Sequence, residues 1–261
     1  GLSTEELADR SVPDLGLDEH GTLRLDYGPR QFVVGFDEHL KPRVHDASGT
    51  PLKDLPGIQK SDDPLLAEAA SARYKALKKD VRTLASQQLH RLELAMVNGR
   101  RWNAGAFRRC LVEHPLLRHL SRRLLWGRFE DERLLEGFRV AEDLSYADAD
   151  DALYTLAENA EVGLVHPLLL SADAAAAFGQ IYADYAILQP FPQLGREVCR
   201  LSAEQLASDG YAACAGRKVR TVSVYALEAR GWTRDGDDSG GMVGSLQRAL
   251  NGDIVAELGF E

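Results

Sequence analysis

Lysine and arginine side chains recur at helical spacing in the middle of the chain, and such cations can bind phosphate groups or carboxylates. Positions i, i+3, i+4 and i+7 fall on one face of a helix, and two groups of basic residues follow that spacing. Basic residues aligned in this way are typical of surfaces that bind a phosphate backbone or an acidic partner. We therefore predict an anion- or partner-binding face formed by Lys75, Lys78, Lys79, Arg82, Arg118 and Arg122.

The charge of the chain is unevenly distributed. The 261 residues carry a net charge of −9. Residues 1–72 carry −7, residues 73–128 carry +11 and residues 129–261 carry −13. This asymmetry raises the question of a phosphate-bearing partner, such as DNA or RNA. Trp102 and Phe107 lie among the arginines, and interleaved aromatic residues are typical of single-strand binding.

The same basic helices can instead pair with an acidic segment of their own chain. Residues 130–161 contain 11 acidic residues and only two basic ones. Charged helix faces are also common at protein surfaces, where an exposed ion pair contributes at most about 1 kcal/mol. The charge pattern therefore leaves internal pairing and external binding open.

The string QPFPQ, residues 189–193, is a second candidate. Each proline fixes its own φ and favours extended backbone in the residue before it, so the string is stiff. One interpretation is a rigid joint between a helix and a strand, with its phenylalanine packed in the core. The other is the wall of a groove, because functional residues often lie on such loops. The second interpretation predicts a pocket lined by His166, Gln189, Phe191, Gln193 and Arg196.

No motif identifies a catalytic residue, and we expect that the chain is not an enzyme. Asp238–Gly241 resembles the nucleophile string of trypsin-like proteases, but the chain lacks the matching histidine context, so we predict a glycine-rich hairpin loop. Cys110, His114 and His119 supply three metal ligands, whereas structural zinc requires four. The acidic loop Asp143–Asp151 lacks EF-hand spacing. We therefore predict no metal and no cofactor.

The composition is that of a globular protein, with 44% hydrophobic residues. No run of 18 apolar residues occurs, so we expect no membrane contact. The three cysteines are widely spaced, which suits a reducing cytoplasm. We expect a cytoplasmic domain excised from a larger protein.

The predicted fold class is α+β, with one domain over residues 1–261. Alternation of apolar and polar residues with turn signals predicts an N-terminal β-meander within residues 15–56. Residues 63–125 are predicted to be helical and residues 124–261 to form a mixed sheet with helices. The final element is a β-hairpin, because Asn251–Gly252 is a strong hairpin signal.

One long helix dominates the helical segment. No glycine or proline occurs between Pro64 and about Val97, and apolar residues follow helical spacing there. Asp62 or Asp63 can cap this helix, and Asn98–Gly99 ends it.

Shorter elements are predicted after the long helix. Residues 102–112 form a second helix with Asn103 as its N-cap, and a third helix opens at Pro115. Ser171 caps a further helix, and Ser202 begins one that ends at Gly210. Strands are predicted at residues 124–129, 137–140, 161–165 and 219–227, with another that begins near Glu197.

The string DYAILQPFPQLGR, residues 184–196, resembles a hallmark of a bacterial family, the domain of unknown function 4132 (DUF4132). Strings that resemble the family in the same order occur at residues 25–44, 101–127, 138–151 and 162–168. The resemblance implies the C-terminal part of proteins similar to the molybdate metabolism regulator, often with a WGR domain upstream. It implies no established activity. Through the WGR association, the resemblance implies a function related to nucleic acids or DNA damage.

Three functions follow from these observations. The first is a non-enzymatic regulatory module that binds a protein, or other domains of its own polypeptide, through the basic face. The second is DNA or RNA binding through that face. The third is an enzyme with a site near His166 and QPFPQ. A deep pocket with a perturbed His166 would favour the enzyme, and an uncovered basic face would favour nucleic acid. A basic face covered by residues 130–161 would leave the regulatory module.

Overall fold

The structure is a computed structural model, and it describes residues 3–198, 201–208, 215–235, 245–249 and 255–259. The chain divides into two compact units, Gly1–Cys199 and Arg200–Glu261, and each is described by itself. Helices and antiparallel sheets alternate along the chain, so the predicted α+β class is confirmed. The expectation of one domain over the whole chain stays a prediction.

The described α-helices are α1 to α7 in chain order: Thr4–Arg10, Pro64–Val97, Ala104–Phe107, Arg118–Ser121, Ala172–Asp184, Ala203–Leu206 and Thr221–Glu228. A π-helical turn, Arg108–Val112, follows α3, and a 3₁₀ turn, Pro167–Leu169, precedes α5.

The described strands form three antiparallel sheets. The first sheet has the order β1-β2-β3-β4, with bounds Leu23–Asp26, Gln31–Phe36, Pro42–Asp46 and Pro51–Leu52. The second has the order β5-β10-β6-β7-β8-β9, where β5 to β10 are Trp102–Asn103, Leu125–Glu130, Arg133–Val140, Tyr146–Ala147, Leu153–Tyr154 and Glu161–Leu164. The third, in the second unit, contains β11, β12 and β13, which are Thr233–Asp235, Ser245–Ala249 and Val255–Gly259.

The predicted β-meander is confirmed in the first sheet. Its second and third turns, which join β2 to β3 and β3 to β4, have the same hydrogen-bond pattern. In each of these two turns an aspartate Oδ1 accepts hydrogen bonds from the backbone N–H groups two and four residues later. Asp37 does so between β2 and β3, and Asp46 between β3 and β4. The residue three positions after the aspartate has positive φ: 58° at Leu40 and 85° at Gly49. This is the short hairpin turn that favours glycine at its left-handed position.

The long helix α2 is confirmed with the predicted ends. The Asp63 carboxylate accepts hydrogen bonds from the N–H groups of Leu65 and Leu66 at 3.0 Å each, and Pro64 occupies the first helical position. The helix ends at Val97 with Asn98 as its C-cap, and Gly99 follows with φ of 67°.

Helix α2 packs against both sheets of the first unit. Near its start Tyr74 and Leu77 belong to the core beneath the first sheet. Near its end Leu92 and Met96 belong to the core of the second sheet. The helix has 34 residues and therefore a length of about 50 Å at about 1.5 Å per residue. It thus connects two cores and exposes its opposite face.

Helix α5 packs where the second sheet lacks side chains. Gly163, Gly127 and Gly137 are neighbours in register across β10, β6 and β7. A Cβ atom at Gly137 would lie 2.9 Å from the ring of Phe178, which is 1% exposed. Glycine is therefore required for this close approach, which fixes where the residues after α5 emerge.

The segment around the second predicted helix is only partly helical. Trp102 and Asn103 form β5, and the helical turns α3 and Arg108–Val112 follow. Asn103 is confirmed as an N-cap, because its side chain accepts from the N–H of Ala106 at 2.8 Å. The helix predicted to open at Pro115 is limited to α4.

The strand predicted at Val219–Leu227 is wrong, because these residues belong mainly to helix α7. The strand predicted near Glu197 is also wrong, since residues 196–198 form no ladder. A helix forms its own backbone hydrogen bonds, so β-branched residues do not require a sheet edge.

The predicted Ser171 and Ser202 caps are confirmed. Asn251–Gly252, Gly210 and Asp238–Gly241 lie outside the described residues. The strands on either side of Asn251–Gly252, β12 and β13, pair antiparallel as predicted.

Candidate functional site

The solvent face of α2 carries three uncovered cations. Lys75, Lys79 and Arg82 are exposed. Within the described ranges, none of their side chains has a hydrogen bond, ion pair or ring contact with another residue. We call these three residues the cationic row. Their spacing of i, i+4 and i+7 places them on one face of α2. The opposite face, with Leu77 and Val81, is buried in the core.

Lys78 differs from the cationic row because it contacts its own unit. Its Nζ lies 3.9 Å from the carboxylate of Asp54 and 4.3 Å from the ring centroid of Tyr74. The Tyr74 hydroxyl donates to Asp54 at 2.6 Å. Burial and this hydrogen bond raise the pKa of Tyr74 above its usual value. Lys78 therefore helps to attach α2 to the segment after β4.

Arg118 is half-buried and binds backbone carbonyls of its own unit. Its guanidinium donates to the carbonyl of Glu19 at 2.7 Å and to that of Glu113 at 2.8 Å. Burial, together with the charge of Arg122, lowers the pKa of Arg118 below its usual value. These bonds fix the loop before β1 to the start of α4.

Arg122 contacts the acidic segment, as the internal-pairing alternative expects. Its guanidinium lies 3.2 Å from the carboxylate of Glu142, whose side chain is 94% exposed. In the described part of the chain, the cationic row has no comparable contact with residues 130–161. The six predicted residues therefore fall into two groups with different surroundings.

The aromatic residues among the arginines are buried in the core. Trp102 is 4% exposed and Phe107 is 0% exposed, and both rings pack against Trp126. A base cannot stack on a ring that is covered on both faces. The aromatic part of the predicted nucleic-acid pattern is thus explained by packing.

QPFPQ forms a stiff joint between α5 and the ends of two interior strands of the second sheet, β6 and β10. Phe191 is 7% exposed and belongs to the main core. Gln193 is fully buried, and its side chain makes three hydrogen bonds to Leu125 and Val165 at 2.7–2.8 Å. Gln189 accepts from the N–H groups of Gln193 and Leu194. The amide oxygens and nitrogens of both glutamines are engaged inside the protein.

His166 and Arg196 lie near this joint. His166 caps the turn Pro167–Leu169, where its Nδ1 accepts from the N–H of Leu168 at 3.2 Å. Arg196 donates to Glu93 at 3.1 Å. Burial and the charge of Arg196 lower the pKa of His166. His166 is thus perturbed, but it lines neither cavity described below.

The three residues weighed as metal ligands have separate surroundings. Cys110 is buried in the core, where burial raises the pKa of its thiol. The Nδ1 of His114 accepts from the N–H groups of Leu116 and Leu117 at 3.2 Å. The Nδ1 of His119 is buried without a hydrogen-bond partner. Within the described residues, no three His, Cys, Asp or Glu side chains are placed to hold a metal ion together.

Two cavities lie on the first unit. One of about 460 Å³ lies beside the edge strand β9 and is lined by Arg108, Tyr146 and Tyr154, among others. The other, of about 240 Å³, is lined by Arg122 and by polar residues that the sequence did not single out as a group: His39, His119, Arg123, Arg139, Tyr185, Glu38 and Glu142. These residues come from separate segments, so spacing along one element could not predict them.

Among the described residues, no helix combines the length and apolar character needed to cross a membrane.

Comparison with known proteins identifies one family whose model matches the chain. The model of the family described as "Domain of unknown function (DUF4132)" matches residues 49–232. The "Uncharacterized protein YehI" of Escherichia coli (strain K12) is 38% identical over 242 residues, which cover 92% of this chain and 20% of that protein. The chain therefore spans about a fifth of the length of this curated relative. No solved structure matches the chain.

Proposed function

Because the chain belongs to the DUF4132 family, we propose that it is a non-enzymatic regulatory module of a larger bacterial cytoplasmic protein. The cationic row on α2 is its contact surface, and the partner is an acidic protein segment, from another protein or from another domain of the same polypeptide. The observation that carries this proposal is that Lys75, Lys79 and Arg82 are exposed and have no partner in the described part of the chain.

The length of the cationic row suits a short acidic segment. Lys75 and Arg82 are seven residues apart, so their Cα atoms are separated by about 10 Å along the helix. A protein segment with two or three carboxylates at helical or extended spacing can pair with all three cations. Each exposed pair contributes about 0.2–1 kcal/mol, so the contact is salt-sensitive and reversible, as a regulatory contact requires.

The uncovered cationic row also meets the condition for nucleic-acid binding through the same face, but three other features give that function less support. Proteins that bind duplex DNA commonly neutralise about 6–10 phosphates, whereas the cationic row offers three charges. The net charge of −9 repels a polyanion outside the row. Trp102 and Phe107 are buried and provide no stacking surface. DNA or RNA binding is therefore the alternative in the experiment below.

An enzyme with a site near QPFPQ has the least support. The polar atoms of Gln189 and Gln193 are engaged inside the protein, and Phe191 is packed in the core. A substrate would have to break these bonds before it could use either amide.

The family resemblance adds context to the proposal. Proteins similar to the molybdate metabolism regulator often carry a WGR domain upstream of this region, and the acidic partner can lie in such a neighbouring domain. The chain covers 20% of the length of YehI, which leaves ample polypeptide in proteins of that size for an internal partner.

Fluorescence anisotropy with three labelled probes tests the proposal: a glutamate-rich peptide, a DNA duplex and a DNA single strand. We expect the peptide to bind at low salt and to dissociate as the salt concentration rises. The variant Lys75→Glu/Lys79→Glu should lower the affinity for the peptide by about tenfold, because attraction at two positions becomes repulsion of similar size.

The matched control is Arg24→Glu/Lys60→Glu, which changes the net charge equally at two exposed residues outside α2. It should leave peptide binding nearly unchanged. Tighter binding of the duplex, lost in the α2 variant, would replace this proposal by the nucleic-acid alternative. Equal weakening in both variants would show that only net charge matters.

A further inference from the structure

The smaller cavity on the first unit brings three arginines together from separate segments. Arg122 and Arg123 follow α4, and Arg139 lies near the end of β7. The remaining walls come from the β2–β3 turn and from residues 185–188 after α5. We call this space, of about 240 Å³, the arginine cavity.

Arg123 is the least compensated of the three guanidinium groups. It donates to the carbonyls of His119 and Leu188 at 3.1 Å each. Among the described residues, no carboxylate lies within ion-pair distance of it. Burial lowers the pKa of Arg123, although the charges of Glu38 and Asp37 oppose this shift. A partly buried guanidinium that binds only neutral carbonyls retains its attraction for an anion.

Arg139 is held rigidly by its neighbours. It is 9% exposed and donates to Asp151 at 2.7 Å. Its guanidinium also stacks over the ring of Tyr185, 4.4 Å from the centroid, and the Tyr185 hydroxyl donates to Asp151 at 2.6 Å. This cluster fixes one wall of the arginine cavity but supplies little net charge, because Asp151 compensates Arg139.

Among the described residues, the ion-pair partner of Arg122 is a surface carboxylate. Glu142 lies 3.2 Å from it, but the Glu142 side chain is 94% exposed and therefore strongly screened by water. Glu142 also lines the arginine cavity. A bound anion would compete with this carboxylate for Arg122, and the exposed side chain can move aside at small cost.

His119 adds a polar atom without a partner. The imidazole lines the arginine cavity, and its Nδ1 is buried with no hydrogen bond. Burial and the charges of Arg122, Arg118 and Arg123 lower the pKa of His119 to about 4. The ring is therefore neutral at neutral pH and adds no charge to the arginine cavity.

We propose that the arginine cavity binds a small phosphate-bearing anion through Arg122 and Arg123, beside the neutral imidazole of His119. Two adjacent guanidinium forks match the several oxygens of a phosphate better than the two oxygens of one carboxylate. The volume of about 240 Å³ is below the roughly 300–1,000 Å³ of sites for drug-sized ligands, so the ligand is small. The ligand is a free phosphate or a phosphomonoester, and it does not depend on the cationic row of α2.

The test is isothermal titration calorimetry at constant ionic strength with inorganic phosphate and with methyl phosphate. We expect saturable binding of one ion per chain. If methyl phosphate binds more tightly than inorganic phosphate, the natural ligand is a phosphomonoester; the reverse order identifies free phosphate. In either case the site is a phosphate site.

Two variants should change phosphate affinity in opposite directions. Arg122→Gln removes one fork and should weaken binding by about tenfold. Glu142→Gln removes the competing carboxylate and should strengthen binding by about threefold. Arg133→Gln is the matched control: Arg133 has a 75% exposed side chain and lies outside the cavity lining, so its removal should leave affinity unchanged.

Folding is monitored separately, because Arg123→Gln would also remove two bonds to carbonyls. Arg122→Gln and Glu142→Gln alter only a surface pair and should retain the circular dichroism spectrum and melting temperature of the parent. The proposal is overturned if phosphate shows no saturable binding. It is equally overturned if Arg122→Gln and Arg133→Gln weaken binding alike, or if Glu142→Gln does not strengthen it.

Discussion

The side-chain amide of Gln193 pairs with both backbone groups of Leu125. The N–H of Leu125 donates to Oε1 at 2.8 Å, and Nε2 donates to the Leu125 carbonyl at 2.7 Å. Nε2 also donates to the carbonyl of Val165 at 2.8 Å. The amide therefore acts as the hydrogen-bonding partner that a neighbouring strand residue would provide, and it attaches QPFPQ to the second sheet.

Replacement of Gln193 by leucine should reduce the free energy of unfolding by about 3 kcal/mol. The apolar side chain leaves the N–H of Leu125 and the carbonyl of Val165 without their Gln193 partner, whereas the Leu125 carbonyl still accepts from the N–H of Val165. Each buried group without a partner costs about 1–3 kcal/mol. Urea denaturation measures the change. Gln180→Ala, at an exposed residue of α5, should stay within about 0.5 kcal/mol of the parent. A Gln193→Leu variant as stable as Gln180→Ala would contradict the assigned role.

Asp9 attaches the N-terminal helix α1 to the end of α2. Its carboxylate is buried and accepts hydrogen bonds from Trp102 Nε1 and Arg91, both at 2.8 Å, and from Arg100. Loss of one partner of a buried charge pair costs about 3–5 kcal/mol. Both arginines keep some solvent contact, so we expect a loss at the lower end of this range. Asp9→Ala should reduce the free energy of unfolding, measured by chemical denaturation, by about 3 kcal/mol.

A control on α2 separates this effect from loss of charge alone. Glu68 is exposed, and Glu68→Ala should change stability by less than about 0.5 kcal/mol. Tryptophan fluorescence provides a second readout, because the indole of Trp102 loses its hydrogen-bond acceptor in Asp9→Ala. An unchanged emission spectrum together with unchanged stability would show that Asp9 does not hold α1.

Stability should fall as the pH decreases from 6.5 towards 4. The pKa of His119 is about 4 in the native protein, against an ordinary 6.5. Between these values the unfolded chain binds a proton that the native protein does not, so protonation favours unfolding. Lowered pKa values of His114 and His166 act in the same direction. The stabilising contribution is complete above pH 6.5 and declines below it.

Thermal melting as a function of pH tests this expectation. His119→Gln should flatten the decline between pH 6.5 and 4, because the variant lacks the titrating group. Aspartates with lowered pKa values, such as Asp62, lose their contribution only below the ordinary value of 3.8, outside this window. An identical slope in the parent and the variant would exclude His119 as a source of the pH dependence.

Gly49→Ala should destabilise the first sheet by about 1 kcal/mol. Gly49 has φ of 85°, in the region where a Cβ atom is strained, although no atom lies within 4 Å of the added methyl group. Gly57 also has free space but no positive φ. Gly57→Ala should therefore be neutral or slightly stabilising. Equal effects of the two variants in thermal melts would show that the backbone conformation at Gly49 is not the cause.

Helix ends were predicted well from the sequence because their signals are local. Asp63 with Pro64, Asn103, Ser171 and Ser202 all cap helices as expected. The cap depends on one side chain and the backbone two or three residues later, so distant contacts rarely change it. The β-meander was predictable for the same reason, since its strands are joined by short turns.

Elements without a local signal were predicted less well. The alternating, β-branched stretch 219–227 favours a strand, but the structure has helix α7, with Val222 68% exposed. Short windows cannot distinguish these outcomes, because strand formation depends on an available edge. Residues 196–198 form no strand, and the backbone groups of Leu125 are already paired with Gln193.

The candidate surfaces show the same difference. Spacing within α2 predicted the exposed position of Lys75, Lys79 and Arg82. It could not reveal that Arg118 binds backbone carbonyls. It also could not predict that Arg123 and Arg139 line one cavity, because that arrangement depends on packing between α4, β7 and the end of α5.

Zero-length carbodiimide cross-linking of the natural protein in a cell extract, where other proteins are also present, tests the central claim most directly, because the reagent joins a lysine to a carboxylate in contact with it. Mass spectrometry should identify amide links from Lys75 and Lys79 to aspartate or glutamate residues outside residues 1–261, and high salt should abolish them. Lys60, which is exposed but lies outside α2, reports the background. Links from Lys75 and Lys79 no more frequent than those from Lys60 would contradict the proposal that the cationic row binds an acidic partner.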